Sequence, residues 1–284
     1  MNRRRFLTRI LTVAAAGGAT WFDVPRLLAD MSPRQRRIYG DFPMGIQSYC
    51  FRAFGVEGAL DRTRELGLGR IEFFRLHFPA TRDAIKVKEM KDACARRGIS
   101  ISGHGVQVFS KDHTANEAFF KFVSAAKIPI ITANPSPDAF ESLNKLVAAY
   151  DLRIAIHNHG PGSQYSTIDD CLNAVKGSDP RIGFTADLGH FIRSNQDPVE
   201  AITRMGGRLY GIHLKDVAER KDKTTGVILG KGHLDVMGVF HALKKVRFPA
   251  DGALSLEYEE HPDNPMAEIR ECLAVAAEAA SRVS

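Results

Sequence analysis

The chain has 284 residues, 44% of them hydrophobic and 25% charged, with a mean hydropathy of −0.19. These values exclude a disordered or fibrous chain and suit either one large α/β barrel or two smaller domains. The formal charge of +6 is unevenly placed: five arginines against one aspartate give residues 1–29 a net +4, leaving +2 for the rest. That remainder gives no electrostatic footprint for nucleic acid, and no nucleic-acid partner is expected.

In chain order, the first feature is Arg3-Arg4-Arg5-Phe6-Leu7, followed by an uncharged stretch, Ile10–Trp21, rich in Ala and Gly. A basic head before a short apolar stretch has the layout of a secretory signal. The stretch is shorter than the ~20 residues that a membrane span requires. The two arginines, one further residue and Phe-Leu resemble the twin-arginine export signal. That resemblance implies a signal peptide at 1–30, a mature domain at 31–284, the twin-arginine export machinery as a partner and a periplasmic location. It implies no stable membrane anchor; the competing reading is an uncleaved amphipathic anchor. Cys50, Cys94, Cys171 and Cys272 are far apart and lack C-x-x-C spacing. Neither a zinc site nor a disulfide is expected of them.

Short β-type runs then recur at Met44–Tyr49, Arg70–Phe74, Ile99–His104 and Pro129–Ala133. Four more follow at Leu152–His157, Ile182–Asp187, Leu209–Leu214 and Ala253–Glu257. Between them, segments such as Ala84–Arg97, Asn116–Ala126 and Asp138–Tyr150 carry apolar residues at helical spacing, and a last helix is expected from Pro265 to Arg282. Eight strands alternating with eight helices over about 250 residues predict a closed (β/α)8 TIM barrel, an α/β fold in a single domain. An open doubly wound sheet is the alternative, weakened because no glycine-rich phosphate loop follows the first strand.

In such barrels chemistry gathers at the carboxyl ends of the strands. Here those ends carry Glu72, His104, His157-Asn158-His159, Asp187-Leu188-Gly189-His190, His213-Leu214-Lys215-Asp216 and Glu257-Tyr258-Glu259. Seven of the ten histidines (His77, His104, His157, His159, His190, His213 and His233) fall at strand ends, in the loops after them or before the seventh helix. One histidine is usually structural. A ring of them among carboxylates suggests a metal site.

From Gly45 to Ala279 the chain resembles the xylose isomerase-like TIM-barrel family, the sugar phosphate isomerases/epimerases. The resemblance rests on Asp187-Leu-Gly-His190, Ile212-His213-Leu-Lys-Asp216, Gly230-Lys-Gly-His-Leu-Asp235 and Leu256-Glu257, in this order on successive strands. It implies one divalent ion (Mn²⁺, Mg²⁺, Co²⁺ or Zn²⁺) held by His157, Asp187, His213 and Glu257, with His190 binding substrate. One position departs from the pattern: the fifth-strand residue, usually glutamate in the epimerases, is His157. Two opposed carboxylates let an epimerase work on both faces of a carbon, whereas here Glu257 is the one clear carboxylate base. Histidine can ligate or carry a proton instead.

The function the resemblance implies is a metal-dependent sugar isomerase or epimerase that removes a proton next to a carbonyl through an enediolate. A lyase or dehydratase acting on a keto-sugar, keto-glycoside or cyclitol is the alternative. Glu257, His157 and Lys215 are the catalytic candidates; His190, His104, His159 and Glu72 are candidates for substrate binding. Lys215 could instead pair with Asp216, and Glu72, His104 and His159 could serve as supporting groups. Asn158 and Gln47 are candidates for sugar hydroxyls, and Asp235 for capping the seventh helix. Phe51, Phe54, Phe74, Phe78 and Phe109 could wall a sugar face or pack the core. A small sugar-like molecule is the expected partner, and a homo-oligomer is compatible with the sequence. Endonuclease IV shares this barrel but needs more histidines, and residues Glu219–Leu229 contain none. A non-catalytic periplasmic sugar-binding protein is the alternative from another class.

Overall fold

The computed structural model describes residues 38–283, so the export signal expected at 1–30 lies outside the described residues. Eight parallel strands close into one barrel: β1 Met44–Gln47, β2 Arg70–Phe74, β3 Ser100–Phe109, β4 Ile130–Pro135, β5 Arg153–His157, β6 Ile182–Asp187, β7 Leu209–Leu214 and β8 Ala253–Leu256. Neighbours pair in chain order, and β1 closes the ring against β8. This is the (β/α)8 barrel the sequence predicts, and it removes the open-sheet alternative.

The helices are α1 Val56–Glu65, α2 Ala84–Arg96, α3 His113–Ala126, α4 Phe140–Tyr150, α5 Ile168–Ala174, α6 Leu188–Arg193, α7 Pro198–Met205, α8 Val236–Lys245 and α9 Met266–Val283. Nine α-helices among the described residues exceed the eight expected, because two lie between β6 and β7. Asn195 has a φ of 54°, and Pro198, which has no N–H, starts α7 behind the cap Asp197, whose carboxylate accepts from Val199 N at 2.8 Å. That punctuation stops one helix and starts the next. No helix among the described residues is long and apolar enough to cross a membrane.

Strands covered on both faces read as near-continuous apolar runs, and Ile154, Ile156, Ile182, Phe184, Ile212 and Leu214 are buried to within about 1%. Outside the barrel, Phe42 meets Phe240 edge-on at 4.9 Å, and Phe78, Phe119 and Phe122 form a second aromatic cluster. Each such ring contributes roughly 1.5–3 kcal/mol through burial. The four cysteines are buried as free thiols.

Two strands differ in length from expectation by more than one residue. β1 ends at Gln47, because Ser48–Phe51 curl into a 3-10 turn capped by the Gln47 side chain. β3 runs on to Phe109, through Gly103 and Gly105, where the strands crowd together. The register also sets the height of the site. His157 is level with Thr185, two residues before Asp187; Asp187 is level with His213; and His213 is level with Ser255, two residues before Glu257. Steps of zero or two keep all four side chains on the inner face.

Candidate metal centre

His157, Asp187, His213 and Glu257 are buried together at the carboxyl end of the barrel, and each offers a ligand atom within 4.8 Å of the others. Asp187 has two tasks. As the cap of α6 its Oδ1 accepts from His190 N at 2.8 Å. Its Oδ2 is buried without a hydrogen-bond partner, while His157 Nε2, Lys215 Nζ, His213 Nδ1 and His190 Nε2 face it at 3.7–3.8 Å. Asn158 fixes the Asp187 backbone from behind: its amide donates to the Asp187 carbonyl at 3.0 Å and accepts from Asp187 N at 2.8 Å. Asn158 is fully buried with both ends of its amide engaged by the Asp187 backbone, and the Gln47 side-chain oxygen accepts from Tyr49 N at 3.3 Å, capping its own turn.

His213 is held from below. Its Nε2 lies 3.1 Å from Glu72 Oε2, so it donates its proton there and leaves Nδ1 for the centre. Nδ1 lies 3.3 Å from Glu257 Oε2 and 3.0 Å from His157 Nε2. Glu72 also accepts from Thr132 Oγ1 at 2.6 Å and Ser255 Oγ at 2.7 Å. Its exposure is zero and both oxygens are occupied, which corrects the expectation that it binds substrate. Glu72 orients His213.

The electrostatics follow from this packing. Burial alone would lower the His213 pKa, but the charges of Glu257 and Glu72 hold it well above its ordinary value. Burial and the neighbouring His213 push His157 well below. Burial would raise Asp187, yet His190, Lys215 and the other donors hold it well below the usual carboxylate range. Lys215 loses from burial but is raised by Asp187, Glu257 and Glu259.

Lys215 does not pair with Asp216, the alternative the sequence offered. Its Nζ sits 3.3 Å from Glu257 Oε2 and 2.7 Å from Glu259 Oε1. Gly189, in the Asp-Leu-Gly-His motif, makes room for that side chain: a Cβ there would meet Lys215 Cγ at 2.8 Å. Asp216 instead accepts from the N–H groups of Val217, Gly230, Gly232, His233 and Leu234 at 2.8–3.0 Å, anchoring the loop before α8. Asp235 caps α8 by accepting from Gly238 N at 2.8 Å.

The remaining histidines divide. His159 stacks on His190 with ring centres 5.4 Å apart and meets His157 edge-on at 4.6 Å, forming one wall of the centre. His104 belongs elsewhere, which corrects its assignment to substrate. Its Nε2 donates to the Phe78 carbonyl at 2.8 Å, and its ring packs among Phe78, Phe119 and Phe122. His77 binds the Phe54 carbonyl at 2.9 Å and lines a cavity of about 840 Å³ beside α1 and α2, away from the centre. His233 is exposed, with its backbone N–H bound to Asp216. Of the phenylalanines, Phe51, Phe78 and Phe109 are core, while Phe54 and Phe74 are half-buried.

Sequence reasoning gave no role to Thr132 and Ser255, neutral hydroxyls inside apolar strands, although their inward parity marks them. Glu259, visible at a strand end, also had no role before its contact with Lys215. The donor set suits a divalent ion: two imidazole nitrogens and two carboxylates converge, and one buried carboxylate oxygen lacks a partner.

Comparison with known proteins agrees with this architecture. The inosose dehydratases of Clostridium tetani and Clostridium botulinum are 26% and 25% identical, over 47% and 59% of this chain. The matches cover 50% and 59% of those proteins, so the chain spans about half the length of the curated relatives it matches. A crystal structure of an uncharacterized protein from Parabacteroides distasonis superposes with a TM-score of 0.64 at 29% identity, over 83% of this chain and 98% of that one. D-psicose 3-epimerase from Clostridium cellulolyticum shares the fold, with a TM-score of 0.65 at 16% identity, over 85% and 98% of the two chains. Residues 136–278, from the end of β4 into α9, match the family described as Xylose isomerase-like TIM barrel. With its closed barrel and its strand-end motifs, the chain belongs to the xylose isomerase-like TIM barrel family.

Proposed function

We propose that the protein is a divalent-metal-dependent enzyme that removes a proton next to the carbonyl of a keto-sugar or keto-cyclitol. The observation that carries this reading is the convergence of His157, Asp187, His213 and Glu257 beside Lys215. A divalent ion held by those four would supply a Lewis acid for the substrate's oxygens and stabilise the charge of an enediolate. Glu257 is the base. His190 and His159 form the wall that holds a substrate oxygen.

Two outcomes follow proton removal, and we rank elimination ahead of isomerisation. With histidine at the fifth-strand position, no second carboxylate serves the opposite face, which disfavours epimerisation. Glu257 and Lys215 stand 3.3 Å apart, a base and a proton donor side by side. In elimination Glu257 takes the α-proton, the C–H electrons form a C=C bond, and the β C–O bond breaks. Lys215 protonates the leaving hydroxide to water. Proton transfer from the Glu257 acid to the Lys215 amine then restores both groups. The similarity to inosose dehydratases supports the same class.

Incubating the Mn²⁺-loaded protein in D2O with an inosose and with a ketohexose separates the outcomes. Loss of water from the inosose supports elimination, and deuterium uptake without that loss supports isomerisation. Neither, at full metal occupancy, favours a sugar-binding protein. Glu257→Gln should lower turnover roughly 10²–10⁴-fold.

We also propose export to the periplasm by the twin-arginine route, supported by Arg3, Arg4, Phe6 and Leu7. Arg3→Lys with Arg4→Lys should keep the precursor in the cytoplasm. Undiminished periplasmic recovery of that double variant would end the proposal.

A further inference from the structure

Arg193 lies one helical turn beyond His190 on α6, on the same face. Its Nη1 is 3.0 Å from His190 Nδ1. A guanidinium carries only donors, so Nδ1 must accept. A neutral imidazole accepting at Nδ1 carries its single proton on Nε2, the nitrogen that faces the centre. That nitrogen is 3.8 Å from Asp187 Oδ2, beyond hydrogen-bond reach, and the side chain keeps 13% exposure. Its N–H therefore remains available to a ligand.

The guanidinium is itself held by two other segments. Past β7, Asp216–Val217 pairs antiparallel with Gly226–Val227, making a small hairpin. At its tip the Asp222 carbonyl accepts from Arg193 Nε at 2.7 Å, and Asp222 Oδ1 accepts from Nη2 at 3.0 Å. On the other side the group lies against Gly160, just after β5. A Cβ there would come within 2.9 Å of both Arg193 Cζ and Nη2. The glycine that closes the His157-Asn-His-Gly160 run thus has a use: it admits the guanidinium.

We propose that Arg193 is a positioning residue that fixes His190 as an Nε2–H donor toward the substrate, with Asp222 and Gly160 completing the clamp. The inference rests on the proposed function only in taking a carbonyl-bearing substrate as the group His190 meets. It deepens that reading by defining the chemistry at this point. A carbonyl, alkoxide or ether oxygen is accepted there, and an ammonium group, having only donors, is rejected. An amino group in place of that oxygen would make a poor ligand.

The test reads the tautomer and needs neither substrate nor metal, so it stands if the proposed reaction fails. In the full chain labelled with ¹⁵N-histidine, long-range ¹H–¹⁵N correlation identifies His190 by loss of its signals in His190→Gln. The wild-type ring should show the Nε2–H pattern. Arg193→Met should lose that pattern in favour of Nδ1–H or a mixture, and Arg193→Lys, which keeps a donor, should restore it in part. Gly160→Ala, which displaces the guanidinium without removing it, should shift the tautomer in the same direction as Arg193→Met. A wild-type ring protonated on Nδ1 overturns the proposal, as does an Arg193→Met ring indistinguishable from wild type. If Arg193→Met does not fold, the wild-type pattern and Gly160→Ala decide.

Discussion

His104 on β3 and His213 on β7 are each 1% exposed, and their surroundings drive them in opposite directions. On the β3 side the ring meets phenylalanines and one carbonyl, and burial lowers its pKa. On the β7 side the same residue type is enclosed by Glu72, Asp187 and Glu257, and their charges overcome burial and raise it. Depth in the barrel is therefore no sign of function. What distinguishes the two halves is whether anionic partners converge on the ring from several strands.

The most forceful way to break that contrast is Asp187→Ala, which removes the carboxylate with the unpartnered oxygen. Metal affinity should fall by at least the ~100-fold that separates the strongest supporting residues from bystanders, read by metal content after dialysis. Equal content in variant and wild type would show that the convergence is not a metal site. Glu72→Gln is the finer probe. It keeps the shape and one acceptor for His213 but removes the charge, and metal affinity should drop roughly 10–100-fold. An unchanged affinity would mean that Glu72 only fills space.

His104→Phe should have the smallest effect. Metal affinity should not change, and stability should fall by about 1 kcal/mol as the Phe78 carbonyl loses its donor. The acid dependence sharpens this prediction. A histidine whose folded pKa is lowered is fully compatible with folding above its ordinary 6.5, and stability is lost as pH falls below that value, where the unfolded chain takes up the proton. His104→Phe should reduce that loss in pH-dependent denaturation; a wild-type acid slope in the variant would show that His104 is not the group responsible.

Much of this molecule is legible in its sequence. β2, β6 and β7 begin and end where the apolar runs do, because their flanks carry clear polar or glycine signals. The sequence pattern makes β3 too short, since glycines that permit close strand contact look like a break in a linear pattern. The residues at the centre could be named because chemistry crowds at strand ends. The support beneath it could not, because Thr132 and Ser255 meet Glu72 only when β2, β4 and β8 close the ring. The sequence leaves His104 between substrate binding and a supporting role for the matching reason: its phenylalanine neighbours on α3 come from across a loop, and periodicity does not show which wall a strand-end side chain meets. Arg193 had a fair signal, a cation one turn after the motif histidine, but its anchors at Gly160 and Asp222 lie on other segments.

The register of the inner strands has a consequence for inheritance. His157, Asp187, His213 and Glu257 are related by steps of zero or two residues between neighbours, so they share one parity. Substitution at these positions would change the site while leaving its side chains on the inner face. Loss or gain of a single residue within β6 before Asp187 is a different kind of event, because it would turn the carboxylate out of the barrel into the helix layer while leaving the strand's length almost unchanged. A change in composition at the centre leaves the side chains on the inner face, whereas a change in the count of residues along an inner strand would turn them away from it.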